Sequence, residues 1–485
     1  MSKNKVIQPP SLFDALLPIV LMIALLATSF IYFGDSSSYG PNQIGLLLAT
    51  GVAIIIGYKN GHSWQSMEKA IINGISLSLS AVLILLVVGA LIGTWLLAGT
   101  VPTLIYYGLL ILDPSWFYVA TCIICGLVSM SIGSSWTTAA TVGVALLAVA
   151  EGLNLSPVIT AGAIISGAYF GDKISPLSET TNLAPAVAGS ELFEHIRYML
   201  WTTVPSIITA LFLFTILGLQ EDVSTTTESA LELNALLQQY FHISSFNLLP
   251  LVVLMVLAFN KVPAFLAIGV GTLIGAIWAV LFQQNFIMLI AGEGVDQFTA
   301  NVTVVWTAFF DGVAITTDNT DFNNLISRGG MAGMLNTIWL IICALSFGAL
   351  LEHLGLLQRL MDAMLRGVKS IGGLISSTVG TCIVTNIVTA DQYMAIVMPG
   401  RMYKSEYQKR GLQPVVLSRT LEDSGTITSP LIPWNSCGAY MHGVLMVNPL
   451  EYAFYAFFNL INPILAVVYG FIGFKLKRAV KAVTT

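Results

Sequence analysis

Residues 171–182, GDKISPLSETTN, gather Asp172, Lys173 and Glu179, the hydroxyls of Ser175, Ser178, Thr180 and Thr181, and the amide of Asn182 around Pro176. The run that holds them is otherwise apolar. An ionised side chain at mid-bilayer costs about 2.5–3.5 kcal/mol on insertion scales, so such a cluster needs a compensating role. A second stretch, 425–436 (GTITSPLIPWNS), repeats the pattern with Ser429 and Pro430. Its charge comes one turn earlier, in Arg419, Glu422 and Asp423. Spaced i, i+3 and i+4, these three share one face of a helix.

Proline inside a helix removes a hydrogen bond and clashes with the carbonyl a turn back. Gly171 and Gly425 precede Pro176 and Pro430 by a little over one turn, so both helices are expected to unwind at corresponding depth. An unwound segment offers carbonyl oxygens to a hard cation such as Na+, and the half-helix that follows favours an anion at its N-terminus. A carboxylate in a partly dry site can hold a proton and release it when a cation arrives. Asp172 and Glu179 are the candidates in the first break. In the second, Arg419 is expected to neutralise one of Glu422 and Asp423, leaving the other for a proton or cation. Two further polar tips interrupt apolar stretches: 131–138 with Ser134 and Ser135, and 385–391 with Asn386 and Asp391. A purely structural alternative pairs Lys173 with Asp172 and Arg419 with Asp423, locking helix register.

Only a membrane-spanning scaffold would hold these groups in place. Hydrophobic residues make up 56% of the 485-residue chain and charged residues 9%, with a mean hydropathy of +0.82. Soluble chains carry about a quarter charged residues. Apolar runs of spanning length, about 20 residues, recur at 12–33, 71–98, 197–219, 264–282 and 452–474. The chain therefore reads as an all-α polytopic membrane protein, its first run a retained helix rather than a signal peptide. The positive-inside rule puts both termini in the cytoplasm, through Lys3 and Lys5 at one end and Lys475, Lys477, Arg478 and Lys481 at the other. Lys59, Lys69 and the cluster Arg401, Lys404, Lys409 and Arg410 join them. The acidic stretch 220–232 and Asp311, Asp318 and Asp321 then face outside.

Internal matches suggest how the spans are organised. GALIGTWL at 89 matches GALLEHLG at 348, 171–177 matches 425–431, and Glu194 corresponds to Glu451, at offsets of 259, 254 and 257 residues. On the charge map the two copies run in opposite directions. The expected plan is two inverted repeats, each with a re-entrant hairpin and a broken transmembrane helix. Residues 1–63 form an N-terminal two-helix extension and 64–219 the first repeat. Residues 220–322 form a linker with two spans and external loops, and 323–485 the second repeat with a cytoplasmic tail. About ten full crossings are expected, with hairpins at 114–149 and 371–402 entering from opposite faces. Two ordinary spans with a glycine kink are the alternative at each hairpin. Inverted repeats with broken helices mark alternating-access carriers whose site lies at the midplane.

Other chemistries find little support. No G-x-x-x-x-G-K-[ST] phosphate loop and no H-E-x-x-H metal motif occurs. The histidines His62, His195, His242, His353 and His442 fall mostly at span ends or loops, and His353 beside Glu352 is the one candidate proton relay. Cys122 and Cys125 lack a second ligand pair and, with Cys343, Cys382 and Cys437, read as small buried hydrophobes. A channel would need a continuous pore. No cofactor and no nucleic-acid partner is expected.

The stretch GDKISPLSETTNLAPAVAG (171–189) resembles the signature of the NhaC-type sodium/proton antiporter family, which includes exchangers coupling malate or lactate to sodium and protons. SIGSSWTTAATVG (131–143) and LISRGGM (325–331) extend the likeness over most of the chain. The resemblance implies the fold of the larger ion transporter superfamily, a bacterial inner-membrane location and a homodimer. The expectation is secondary antiport, Na+ out for H+ in. Na+ would be held by a subset of Asp172, Ser175, Ser178, Glu179, Thr180, Thr181, Asn182, Ser134, Ser135, Asn386, Asp391, Asp423 and Ser429. Lys173, Arg419 and Glu422 are the expected charge partners. The alternative keeps the fold but makes the cargo a small organic anion of malate or lactate type, met by Lys173, Arg419 or a half-helix N-terminus.

Overall fold

The computed structural model describes residues 7–77, 79–111, 113–221, 223–260, 262–365 and 368–478. Lys3, Lys5 and Lys481 of the expected cytoplasmic tails, and the side chains of 222–231 in the acidic stretch, lie outside the described residues. Apart from one isolated bridge between Leu412 and Arg478, the regular elements described are all helical. Seven of these helices are long and apolar enough to cross a membrane, or up to nine if each of two sharply bent pairs counts as one span. The chain is an all-α polytopic membrane protein. The count over the described residues is below the ten expected crossings, the run 452–474 for one being divided between shorter helices.

Leu12–Phe33 and Ala264–Phe282 follow their apolar runs. The first starts on a capping box of Ser11 and Asp14, which satisfies two orphan backbone donors reciprocally. Run 71–98 is covered by Trp64–Leu77 and Leu79–Leu97, on either side of Ser78, which lies outside the described residues. The latter turns by 69° into Thr100–Ile111, at Gly99, whose φ of +73° suits a residue without Cβ. The last run becomes Pro449–Tyr452 and the 16-residue Phe457–Ile472. Beyond the expected pair, the described residues of the linker hold Val223–Tyr240, Gln284–Ala291 and Gln297–Phe310, and the start of Thr320–Ile326.

Backbone landmarks recur at a constant spacing of 257 residues. Pro114–Ile132 and Ile371–Thr389 each end on a left-handed residue, Gly133 and Ala390, followed by the N-caps Ser134 and Asp391. The next helices begin at Pro157 and Pro414. They restart behind the caps Ser178 and Asn435 and stop at the left-handed Gly189 and Met446. This register corrects the matching of 171–177 with 425–431, which lies three residues out of it. The first copy is helical from Pro157 to Ile174. The second is α-helical only over Pro414–Leu421, then widens into a π turn at Glu422–Thr426 and takes a longer irregular path to its restart. The shared Ser-Pro-Leu marks the composition of a break rather than its register.

Small residues hold the first hairpin against the first broken helix. A Cβ on Gly167 would sit 2.1 Å from the Cys122 carbonyl oxygen, and one on Gly171 would sit 2.2 Å from that of Gly126. Gly167 and Gly171 form a G-x-x-x-G step, the spacing that lets membrane helices approach closely. Neither oxygen can retreat without disturbing its own helix. Gly167→Ala or Gly171→Ala is therefore expected to push the helices apart, at an overpacking cost of about 1–3 kcal/mol. The check is the melting temperature of the detergent-purified protein, which should fall by several degrees; an unchanged value would contradict the close approach.

Candidate functional site

Unwinding a helix strands carbonyls that must find donors. In the first break the Thr181 hydroxyl donates to the carbonyls of Asp172 (3.2 Å) and Lys173 (3.0 Å). The Asn182 amide donates to those of Pro176 (2.9 Å) and Ser178 (2.7 Å). In the second, Asn386 donates to the Gly425 carbonyl at 2.6 Å and Asn459 to that of Ile427 at 2.8 Å. Ser429 takes the Thr426 carbonyl at 2.7 Å, and Tyr452 that of Pro430 at 2.5 Å. The expected row of free carbonyls is thus largely occupied by side-chain donors. The polar residues of the breaks chiefly hold the irregular backbone in place, and the chemistry passes to the charged groups.

Asp172 docks on the first hairpin tip. Its Oδ2 accepts from the Ser135 amide at 3.1 Å and from the Ser135 hydroxyl at 2.7 Å. Ser134 instead caps its own short helix through the Thr137 amide at 3.2 Å. Lys173 does not turn to Asp172. Its Nζ donates to Asp423 Oδ1 at 2.5 Å, and both side chains are fully buried. The Thr202 hydroxyl donates to the same oxygen at 3.0 Å. Arg419 Nε lies 3.8 Å from Asp423 Oδ2, and its guanidinium stacks 4.4 Å from the centroid of the Tyr198 ring.

Asp423 therefore answers both cations, and it is the acid that Arg419 neutralises. The π turn alters the helical spacing at this point and separates Glu422 from its neighbour. Both Glu422 carboxylate oxygens are buried without a hydrogen-bond partner, with Lys173, Asp172 and the hydroxyls of Thr426 and Thr180 around them. The expected roles are exchanged: Asp423, read as an ion ligand, sits in the ion pair, while Glu422, read as a charge partner, is the unpaired acid.

The other expected residues divide by position. Ser175 is buried at the end of Pro157–Ile174, where its hydroxyl accepts from the Leu177 amide at 3.3 Å. Ser178 caps the restart and meets the Thr180 hydroxyl at 3.1 Å. Glu179 is exposed, and accepts from the Tyr393 hydroxyl at 2.5 Å. Asp391 is half-buried and caps the helix after the second tip through the Met394 amide at 2.8 Å. His353 turns away from Glu352 toward Ser66, 2.5 Å from its hydroxyl, and packs edge-on against His62. The expected Glu352–His353 relay is not assembled. All five cysteines are buried and free.

Sequence reasoning missed the contribution of helix Leu192–Gly218, which read as an ordinary span. His195, Tyr198, Thr202 and Ser206 recur along it at helical spacing. His195 is fully buried, with its Nδ1 2.9 Å from the Ser418 hydroxyl and its Nε2 unpartnered. The Ser206 hydroxyl accepts from Asn462 at 3.2 Å. A polar stripe every three to four residues within an apolar run was the available signal.

Buried charges lodged between two broken helices of a polytopic bundle have the architecture of a membrane carrier. A model of the Na+/H+ antiporter family matches residues 167–474, and the chain belongs to that family. It is 38% identical over 431 residues to the Na+/H+ antiporter NhaC of Alkalihalophilus pseudofirmus, covering 89% of this chain and 90% of that one. It is equally 38% identical over 470 residues to the malate-2H+/Na+-lactate antiporter of Bacillus subtilis, covering 97% and 96%. The arginine/ornithine antiporter ArcD of Halobacterium salinarum is 36% identical over 470 residues, covering 96% and 93%.

Proposed function

We propose that the chain is a secondary carrier, not an enzyme, exchanging Na+ for H+ by alternating access through the cluster around Glu422. One observation carries this reading. Three acids, Asp172, Glu422 and Asp423, face two cations, Lys173 and Arg419, and all five are buried. The acids outnumber the cations by one, and with Lys173 and Arg419 both on Asp423 and Asp172 held by Ser135, Glu422 is left in a low-dielectric site with neither an ion pair nor a hydrogen bond. Such a group has two low-energy forms, the neutral acid and the cation-bound carboxylate. Na+ and H+ then compete for one place, and neither form requires ATP. Asp172 and the hydroxyls of Thr180 and Thr426 surround Glu422, and they are the oxygens from which a cation's shell would be drawn.

A second reading rests on Arg419. None of its three guanidinium nitrogens has a hydrogen-bond partner, although the side chain is fully buried. A guanidinium fork held open in this way suits a carboxylate, as an organic-anion exchanger would need. Dye-reported proton movement in vesicles separates the two, with Na+, Li+, K+, malate, lactate, arginine and ornithine added in turn. Proton movement on Na+ alone supports the first reading; movement only when an organic acid is also present supports the second. Arg419→Lys keeps the charge but loses the fork. It should spare exchange driven by Na+ alone and reduce exchange that depends on a carboxylate.

The orientation belongs to the same proposal. Both termini are assigned to the cytoplasm of a bacterial inner membrane, the two copies are inverted, and each hairpin dips in from one face. The homodimer implied by the resemblance is retained as part of this reading. Impermeant labelling of a cysteine at position 228 should occur only from outside, and at position 406 only from inside. External access at both would remove the inversion.

A further inference from the structure

The second residue of the helix after each hairpin tip is aromatic, Trp136 in one copy and Tyr393 in the other, at the 257-residue spacing of the repeat. Each reaches across to the restarted half of the opposite copy's broken helix. Trp136 stacks on Tyr440 with ring centroids 4.1 Å apart and planes 20° from parallel, and the Tyr440 hydroxyl donates to the Trp136 carbonyl at 3.1 Å. The Tyr393 hydroxyl donates to Glu179 at 2.5 Å. Both contacts adjoin the charged cluster. Ser135, next to Trp136, holds Asp172, and Glu179 lies in the field of the same carboxylate.

The two contacts lead to different neighbours. Glu179–Ala188 runs toward Lys404, whose Nζ donates to the Val187 carbonyl at 3.1 Å. Ser436–Leu445 runs toward His442 and Tyr39, whose rings pack edge-on. On the charge map these are the cytoplasmic and external sides. The contacts also differ in burial. Tyr440 is fully buried and Trp136 half-buried, whereas Glu179 is exposed and Tyr393 is 39% exposed.

We infer that Trp136 and Tyr393 are the two gates of the site, Trp136 with Tyr440 on the external side and Tyr393 with Glu179 on the cytoplasmic side. The structure is sealed at the first by stacked rings, of which Tyr440 is fully buried and Trp136 half-buried. At the second it is closed by a single exposed hydrogen bond. Breaking that bond opens the cluster inward while the external rings stay shut. Parting the rings while Tyr393 stays bonded opens it outward. Equivalent positions in the two copies thus take opposite roles, which is what an inverted repeat requires of its gates. The inference rests on the alternating-access reading above, but its test reads access rather than transport, so the two can fail separately.

Cys437 supplies the reporter, being fully buried and in contact range of Trp136. With the other four cysteines replaced by alanine, sealed vesicles of both orientations are treated with an impermeant maleimide. Trp136→Ala should raise the external labelling rate about tenfold and leave the internal rate alone, since the stacked contact holds that side closed. Tyr393→Phe should raise the internal rate only. Trp136→Phe, which can still stack, should behave like the parent. Should Trp136→Ala fail to reach the membrane, Trp136→Leu fills the space without stacking and carries the same expectation. An unchanged external rate in the Trp136 variants, or equal rises on both sides, overturns the assignment.

Discussion

Lys173→Met is expected to cost the protein most of its stability. Lys173 and Asp423 are fully buried and 2.5 Å apart, on segments 250 residues apart in the chain. Removing one partner of a buried pair leaves the other charge stranded, at about 3–5 kcal/mol. Arg419 and Thr202 still attend Asp423, so the cost should fall toward the lower end of that range. Lys173→Met with Asp423→Asn removes both charges and should recover part of the loss, with a coupling of about 1–3 kcal/mol between the two sites. Thermal unfolding of the four purified proteins measures the cycle. Additive effects would mean that the pair is not formed in the membrane. Sodium-dependent proton release by the double variant separates two roles: normal exchange makes the pair a register lock, and lost exchange makes it part of the site.

Glu422→Gln should do the reverse, ending exchange while leaving the fold intact. The side chain makes no hydrogen bond that the substitution could break, and an amide fills the same space. Removing a buried, unpaired acid relieves a desolvation cost rather than adding one, so the melting temperature should hold or rise. Sodium-dependent proton release in reconstituted vesicles should drop to the level of protein-free vesicles. Glu422→Asp keeps the charge but withdraws it by one methylene, and should retain partial exchange. Full activity in the glutamine variant would move the coupling to Asp172, and Asp172→Asn would then become the decisive substitution.

The chain disclosed its charged residues and its breaks, because a charge in an apolar run is visible in one dimension. Asp172, Lys173, Arg419, Glu422 and Asp423 were all found this way, as were the two tips. Partner choice was not visible. Lys173 meets Asp423 rather than its neighbour Asp172 because the two breaks are brought face to face by packing, which no local spacing encodes. The difference between Glu422 and Asp423 depends on a π turn, and helical periodicity assumes that none is present. The fate of the carbonyls was hidden as well. Thr181 and Asn182 lie in the same stretch and looked like ligands, while Asn459 comes from a run that read only as an apolar span. Tyr198 and Thr202 were camouflaged by the apolar residues between them.

The ion pair between Lys173 and Asp423 also dictates an order of events at the ribosome. Its partners are separated by 250 residues, so Lys173 emerges long before Asp423 exists. At about 5–20 residues per second that interval lasts roughly 12–50 s. Throughout it the nascent first half holds an ammonium group with no acid from the second half to meet it. The newborn segment must stay beside the insertion machinery, or let its lysine reach the headgroups, until the second half arrives. Closing the bundle is then a late act of biogenesis, and the two halves made as separate chains should each be short-lived unless they are produced together.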